Sequence, residues 1–190
     1  MTAKDNSMAS VSDTFILTVS NTNDAPTVAN SIVDQNAVED SSFTFTFAIN
    51  TFNDVDAGDS LTYTATLDND SSLPNWLSFN AGTRNFTGTT TNDDVGSINI
   101  KVTAKDTSLA SASDTFILTI SNTNDAPTVA NNIADQSANE DSELYFTFAL
   151  NTFNDIDLGD SLTYTATLDN DQRISGTYLD TFDNLTKLTI

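Results

Sequence analysis

The sequence predicts an all-β fold, a β-sandwich built as tandem repeats, and three observations carry that expectation. Apolar and polar residues alternate with period two along most of the 190 residues. That is the pattern of a strand with one face in the core and the other in water. Clusters of Asn, Asp, Gly and Ser break these runs at short intervals, where turns belong. The chain also repeats itself: residues 3–70 align without a gap on residues 104–171 at a constant offset of 101, and 54 of the 68 pairs are identical. A period near ~100 residues is too long for a solenoid unit and has the size of an independent domain.

Taken in chain order, Asp13-Thr14-Phe15-Ile16-Leu17-Thr18-Val19 nearly matches Asp114–Ile120, so residues 1–24 read as the last strand of a preceding repeat. The segment Asn21–Asn30 recurs intact at Asn122–Asn131 and is the linker. Phe43, Phe45, Phe47 and Ile49 alternate with Thr44, Thr46 and Ala48, which predicts a strand with the first set inward. Leu61, Tyr63, Ala65 and Leu67 repeat the pattern, as do Ile98, Ile100, Val102 and Ala104, and then Phe116, Leu118 and Ile120. Asp54–Ser60 and Asn69–Pro74 are turn segments, with Gly58 and Gly159 as turn glycines. The single Trp, Trp76, lies between Leu73 and Leu77, and a core-filling role is expected for it. Seven or so strands in about 100 residues is the arithmetic of an immunoglobulin-like Greek-key sandwich.

The chain thus divides into one whole repeat, residues 25–125, and two partial ones, 1–24 and 126–190. From Gln172 the match fails: Ile174-Ser175-Gly176-Thr177 stands where the whole repeat has Leu73-Pro74-Asn75-Trp76. A piece of a longer array with a divergent tail is the expectation. Residues 126–171 lack counterparts of Ile98–Lys105 and Thr115–Ser121, which leaves an open apolar edge. Head-to-tail self-association through Asp13–Val19 of a second molecule is therefore expected, with Leu185, Leu188 and Ile190 of the tail as the competing filler.

Composition narrows the function. The chain carries 27 acidic and 6 basic residues, a net charge of −21, with no Cys and no His. Thiol chemistry, disulfides, Cys/His zinc sites and His acid–base catalysis are excluded. A surface this acidic repels phosphate, so no nucleic-acid partner is expected. No stretch approaches the roughly 18 apolar residues of a membrane-spanning helix, and Met1–Asp5 opens no signal peptide, so no direct membrane insertion is expected. The acids gather in loops: Glu39-Asp40, Asp54-Val55-Asp56, Asp59, Asp93-Asp94, Asp106 and Asn124-Asp125. Two carboxylates ~4 Å apart repel by about 4 kcal/mol at an effective dielectric of ~20. A hard cation with flexible all-oxygen coordination relieves this, and Ca²⁺ suits such a set better than Mg²⁺. Simple solvation of turn acids is the plainer alternative, and Glu39 and Glu140 also suit a position just ahead of a strand. Asn85-Phe86-Thr87 and Asn184-Leu185-Thr186 are glycosylation triplets of the kind an Asn/Thr-rich chain contains by chance.

The linker Asn-Thr-Asn-Asp-Ala-Pro resembles the Asp-x-Asn-Asp-Asn-x-Pro linker of cadherin repeats. Asp54-Val55-Asp56 is similar to the cadherin Asp-x-Asp element, Ala104-Lys105-Asp106 to Ala-x-Asp, and Glu39 to the early Glu. The order Glu39-Asp40-Ser41, Asp54–Tyr63, Leu73–Leu77, Phe86–Thr89 and Asn92–Gly96 resembles more closely still the dystroglycan-type cadherin-like repeats of large bacterial surface adhesins. That resemblance implies an immunoglobulin/cadherin-like sandwich with Ca²⁺ at the inter-repeat junctions. The junction after the whole repeat would use Glu39, Asn124, Asp125, Asp155 and Asp157; the one before it would use Asn23, Asp24, Asp54, Asp56 and Asp106. Asn21 and Asn122 stand where cadherins have Asp, Ala25 and Ala126 where they have Asn, and Asp93 and Asp94 are the candidates for an absent Asp-Arg-Glu element. The implied role is a calcium-binding structural and adhesive module at the cell surface, without catalysis, since the acids recur with the repeat instead of converging in one cleft. Its partners would be neighbouring repeats and other cell-surface proteins or glycans. The alternative is a carbohydrate-binding accessory domain of a secreted polysaccharide-degrading enzyme, with Trp76 as an aromatic platform.

Overall fold

The computed structural model describes residues 1–56, 58–137, 139, 144–166, 178–180 and 186–189. In chain order the strands are β1 (Thr2–Lys4), β2 (Ser10–Ser12), β3 (Thr27–Val28), β4 (Gln35–Val38), β5 (Ser42–Thr46), β6 (Phe52–Asn53), β7 (Thr62–Leu67), β8 (Leu77–Asn80) and β9 (Asn85–Thr89). A 3₁₀ turn at Asn92–Asp94 follows, then β10 (Gly96–Lys105), β11 (Ser111–Ser121), β12 (Thr128–Val129), β13 (Tyr145–Phe148), β14 (Phe153–Asn154), β15 (Tyr178–Asp180) and β16 (Thr186–Thr189). The whole repeat carries a four-stranded sheet of order β4-β11-β10-β7 and a three-stranded sheet of order β5-β9-β8. The chain folds as two compact units. One is Met1–Val33 with Phe45–Phe86 and Asn99–Ile117, and the other is Asp34–Thr44 with Thr87–Ile98 and Leu118–Ile190.

The first unit holds an aromatic core. Phe45 of β5 and Phe86 of β9 lie with ring centroids 5.5 and 5.7 Å from Phe116 of β11. Phe47, directly after β5, meets Tyr63 of β7 edge-on at 5.5 Å. These contacts run from the β5-β9-β8 sheet to the other one, so the expected immunoglobulin/cadherin-like β-sandwich is what forms. Phe47, Phe86, Ile100, Val102 and Phe116 are all but fully buried, whereas Thr44, Thr46, Thr62 and Thr64 face water. Period two is thus realised with the expected phase.

Two expectations fail locally. Ile49 is 72% exposed, because a turn in which the Thr51 N–H donates to the Ala48 carbonyl (3.1 Å) resets the alternation, and Phe52 is buried instead. Trp76 is only half-buried. The Leu77 N–H donates to the Pro74 carbonyl, which puts Trp76 in a turn, and Leu77 fills the core.

Residues 2–12 form a hairpin that copies the β10–β11 hairpin end at the offset of 101. The Asp5 N–H donates to the Ala9 carbonyl as the Asp106 N–H does to Ala110, and Met8 and Leu109 share a left-handed φ of 67° and 73°. The expected strand over Asp13–Val19 does not pair among the described residues; Phe15, Leu17 and Val19 are 71%, 77% and 84% exposed. A strand without a sheet has nothing to bury its apolar row against.

In the second unit β4 runs parallel to the end of β11, from Gln35 opposite Leu118 to Val38 opposite Ser121. The β12–β14 pair repeats β3–β6 at the same offset. The tail supplies β15 and β16, which join β13 in the order β13-β16-β15, with Leu188 opposite Phe146. These strands begin 101 residues after β8 and β9 (178 − 77 and 186 − 85) and hold the same places in the sheet order. Leu185 and Ile190 lie outside the described residues, as do Glu140 and Asn184.

Candidate metal centres

Each linker folds over an Asp-x-Asp-x-Gly-Asp loop. In the first unit Gly58 has φ +99°, and this turn lets the chain double back so that Asp54, Asp56 and Asp59 present carboxylate oxygens within 4.8 Å of one another. The Asp56 N–H donates to Asp54 Oδ1 at 2.9 Å, which locks the loop locally. Asp56 is 8% exposed and binds the linker with both oxygens: Asn21 Nδ2 donates to Oδ1 at 2.8 Å, and the Asp24 N–H to Oδ2 at 2.7 Å. Asp106, 3% exposed, accepts from Asn23 Nδ2 at 3.0 Å and from the Ala110 N–H at 2.8 Å. Thr107 Oγ1 donates to Asp59 Oδ1 at 2.9 Å. Asp54 Oδ2 and Asp59 Oδ2 are buried without a hydrogen-bond partner. Asn23, Asp24, Asp54, Asp56 and Asp106 are therefore brought together, although Asp24 reaches the loop through its backbone and its side chain is exposed.

The second unit repeats this arrangement. Asn122 Nδ2 donates to Asp157 Oδ1 at 3.2 Å, the Asp125 N–H to Asp157 Oδ2 at 2.7 Å, and the Asp157 N–H to Asp155 Oδ1 at 3.0 Å. Asp155, Asp157 and Asp160 cluster as their counterparts do. A further acid joins here. The parallel pairing of β4 with β11 carries Glu39 to the start of the linker, where the Glu39 N–H donates to the Ser121 carbonyl and Glu39 Oε1 accepts from the Thr123 N–H. Glu39 is 1% exposed, its Oε2 has no partner, and it shares a 4.8 Å cluster with Asp125 and Asp157. Asn124 is exposed and donates to the Asp125 carbonyl.

Several participants were not among the candidates: Asp59 and Asp160, the amides of Asn21 and Asn122, and Asn92, whose Nδ2 donates to Asp125 Oδ2 at 2.9 Å. The spacing Asp-x-Asp-x-Gly-Asp was the available signal for Asp59. Nothing in the sequence marked Asn92. Asp94 does not join the site: its Oδ2 accepts from the N–H and hydroxyl of Thr91 and caps the 3₁₀ turn, while Asp93 is exposed. Asn85 of the first glycosylation triplet is tied to Phe45 and Thr46 within the sheet.

Among the described residues the ion pair is Lys101–Asp70, so no basic side chain balances either cluster. Two carboxylates 4.8 Å apart repel by about 3.5 kcal/mol at an effective dielectric of ~20. The donor set is oxygen only, with orphaned buried oxygens in both places. It fits a hard, flexibly coordinated cation such as Ca²⁺.

Fold and site together define an immunoglobulin/cadherin-like repeat with acidic junctions. Residues 25–121 match the family model described as "Putative Ig domain", and the chain belongs to that family. Among curated proteins nothing matches it. Of solved structures it is similar to the extracellular cadherin domains 1–5 of protocadherin gamma B2, with TM-score 0.56 and 19% identity over 86% of this chain and 32% of that one. It is also similar to domains 1–4 of protocadherin gamma B7, with TM-score 0.52 and 20% identity over 87% of this chain and 40% of that one. An endo-fucoidan hydrolase from glycoside hydrolase family 107 aligns with TM-score 0.45 and 23% identity over 87% and 24%. The chain thus spans less than half of each of these proteins, and the likeness to the protocadherins is one of fold. No helix among the described residues is long and apolar enough to cross a membrane.

Proposed function

We propose that this chain is a calcium-binding structural repeat of an extracellular adhesin, in which Ca²⁺ at the linkers joins successive repeats into a stiff array and no catalysis takes place. The observation that carries the reading is Glu39, a carboxylate 1% exposed with an unpartnered oxygen, gathered with Asp125 and Asp157 without a basic ion-pair partner among the described residues. An uncompensated buried charge is costly. A cation supplies the missing partner for all three at once. Glu39, Asp125, Asp155 and Asp157 would hold it after the whole repeat, with Asp160 and a turned-over Asn122 amide as further oxygen donors. Asp54, Asp56, Asp59 and Asp106, with Asn21 and Asn23, would do so before it. When bound, the ion supplies charge neutralisation and a fixed link between linker and loop. Without it, repulsion is the dominant force at the junction.

Extracellular modules hold Ca²⁺ with a Kd of about 10⁻⁴–10⁻³ M, which suits extracellular and not cytosolic calcium. The test is calorimetric titration of the full chain with Ca²⁺ and with Mg²⁺. Saturable Ca²⁺ binding that Glu39→Gln weakens supports the reading, and absence of Ca²⁺ binding at millimolar concentration sinks it. The carbohydrate-binding reading draws less support: Trp76 is half-buried and has no ring neighbour among the described residues with which to form a flat platform.

A further inference from the structure

Arg84 is the single arginine of the whole repeat, in a chain that carries 27 acidic and 6 basic residues. With acids in such excess, an arginine would ordinarily find a carboxylate. Its guanidinium instead makes no hydrogen bond or ion pair among the described residues, and its Nε is buried without an acceptor. A buried donor left unpaired is costly. The backbone holds it there against local preference. The Thr83 N–H donates to Asn80 Oδ1 at 3.1 Å and closes the turn between β8 and β9, and the Phe47 N–H donates to the Arg84 carbonyl at 3.3 Å. Arg84 itself has φ +57°, a left-handed conformation that Gly or Asn adopts more readily. Backbone outliers of this kind cluster at binding sites.

The Arg84 side chain lines a groove of about 380 Å³ together with Ile49, Leu61, Tyr63, Ala81 and Gly82, all within Phe45–Phe86 of the first unit. One wall is fixed in advance: Phe47 meets the Tyr63 ring edge-on at 5.5 Å, and Phe52 leans on it at 6.0 Å. Ile49 is 72% exposed beside it. Its counterpart at the offset of 101, Leu150, is 53% exposed although the whole repeat precedes it in the chain, so exposure at this position does not arise from the lack of a preceding repeat.

We infer that this groove binds a small monocarboxylate with a branched aliphatic body. The carboxylate would accept from the Arg84 guanidinium, whose planar fork matches it, and the aliphatic part would lie against Ile49, Leu61 and the Tyr63 ring. The rest of the molecule selects for a single charge, because a net charge of −21 repels a polyanion and leaves a monoanion far less affected. None of this depends on the calcium reading.

The experiment is titration of the full chain with N-acetyl-leucine, followed by NMR of the arginine Nε–H signals. EDTA is present so that no bound cation can take the carboxylate, and salt is at roughly 0.15 M. The chain has two arginines, Arg84 and Arg173, and the signal lost in Arg84→Gln identifies Arg84. Wild type should bind with a Kd of about 10⁻³ M, as suits so small a ligand, and the Arg84 Nε–H should shift. Arg84→Gln should weaken binding about tenfold or more, and N-acetyl-leucinamide, which lacks the charge, should lose as much on wild type. Ile49→Ser should weaken it about threefold through the opposite wall. Lys101→Gln removes an equal charge elsewhere and should change the affinity by less than about twofold. A tetrapeptide ending in leucine presents the same end group: tighter binding than N-acetyl-leucine assigns the site to a polypeptide C-terminus, and equal binding assigns it to a free acid. No saturable binding at about ten times the expected Kd overturns the inference. Equal binding of acid and amide overturns it too, as does equal weakening by Arg84→Gln and Lys101→Gln, since the guanidinium would then hold no carboxylate.

Discussion

Replacing Glu39 by Gln keeps the shape and leaves Oε1 free to accept from the Thr123 N–H, but removes the charge at a site 1% exposed. The effect on stability should change sign with calcium. In EDTA, wild type holds three carboxylates within 4.8 Å of one another with no basic partner among the described residues. Each close pair repels by about 3.5 kcal/mol at an effective dielectric of ~20, an upper figure because Asp125 is partly in contact with water. Removing one charge relieves two of these pairs, so Glu39→Gln should be more stable than wild type by about 1 kcal/mol or more once solvent screening is allowed for. At a Ca²⁺ concentration of about 100 Kd, wild type gains about 2.7 kcal/mol from binding. If the variant binds about 100-fold more weakly, it gains only about 0.4 kcal/mol under the same conditions. The order of stabilities then reverses or closes by about 2 kcal/mol between the two buffers. Urea denaturation followed by Trp76 fluorescence, in EDTA and in excess Ca²⁺, measures both arms. A Glu39→Gln variant that is destabilised by the same amount in both buffers would refute the argument, because Glu39 would then be a plain hydrogen-bonding residue.

The other predictions probe the loop and the strand phase. Asp54→Ala should lower stability in Ca²⁺ and leave it unchanged or raised in EDTA, since it removes one of three clustered carboxylates; the same denaturation pair decides. Gly58→Ala should cost about 1–2 kcal/mol from φ +99° alone, because a Cβ there meets no atom within 4 Å, and the loss should appear in urea midpoints. Phe47→Ala should cost ~3–5 kcal/mol, while Thr46→Ala and Ile49→Ala should each stay below ~1 kcal/mol. If Ile49→Ala matched Phe47→Ala, the turn at Ala48–Thr51 would be misplaced.

How much of this was legible in the sequence depended on whether the causes were local. Phe47, Ile100, Val102 and Phe116 were readable because alternation decides which face a strand residue takes, and all four are buried. Ile49 and Trp76 were misread at places where a single turn hydrogen bond, Thr51 to Ala48 or Leu77 to Pro74, resets the phase within a few residues. In the junction loops, Asp54, Asp56 and Gly58 are a local pattern and were visible as one. The approach of Glu39 to Asp125 is not local: it needs β4 parallel to β11, a pairing between residues more than 80 apart that alternation does not specify, and resemblance supplied what periodicity lacked. Asn92 had neither signal. It reaches Asp125 because a 3₁₀ turn capped by Asp94 aims it there.

The two linkers form an internal comparison, since Asn21–Asn30 and Asn122–Asn131 are identical in sequence. What the two sites share must come from the linker and its loop alone. Both show an Asn amide on the second Asp of the Asp-x-Asp element, at 2.8 and 3.2 Å, and both show the linker N–H on that same Asp at 2.7 Å. What differs must come from the rest of the fold. Asp125 joins a carboxylate cluster with Glu39, whereas the clustered acids at the first linker are Asp54, Asp56 and Asp59, all from the loop itself. At the second linker it is β4, paired with β11, that carries Glu39 to Asp125 and Asp157. In the calcium reading proposed above, the acids of the linker and its loop together with Glu39 would supply the oxygens of one junction.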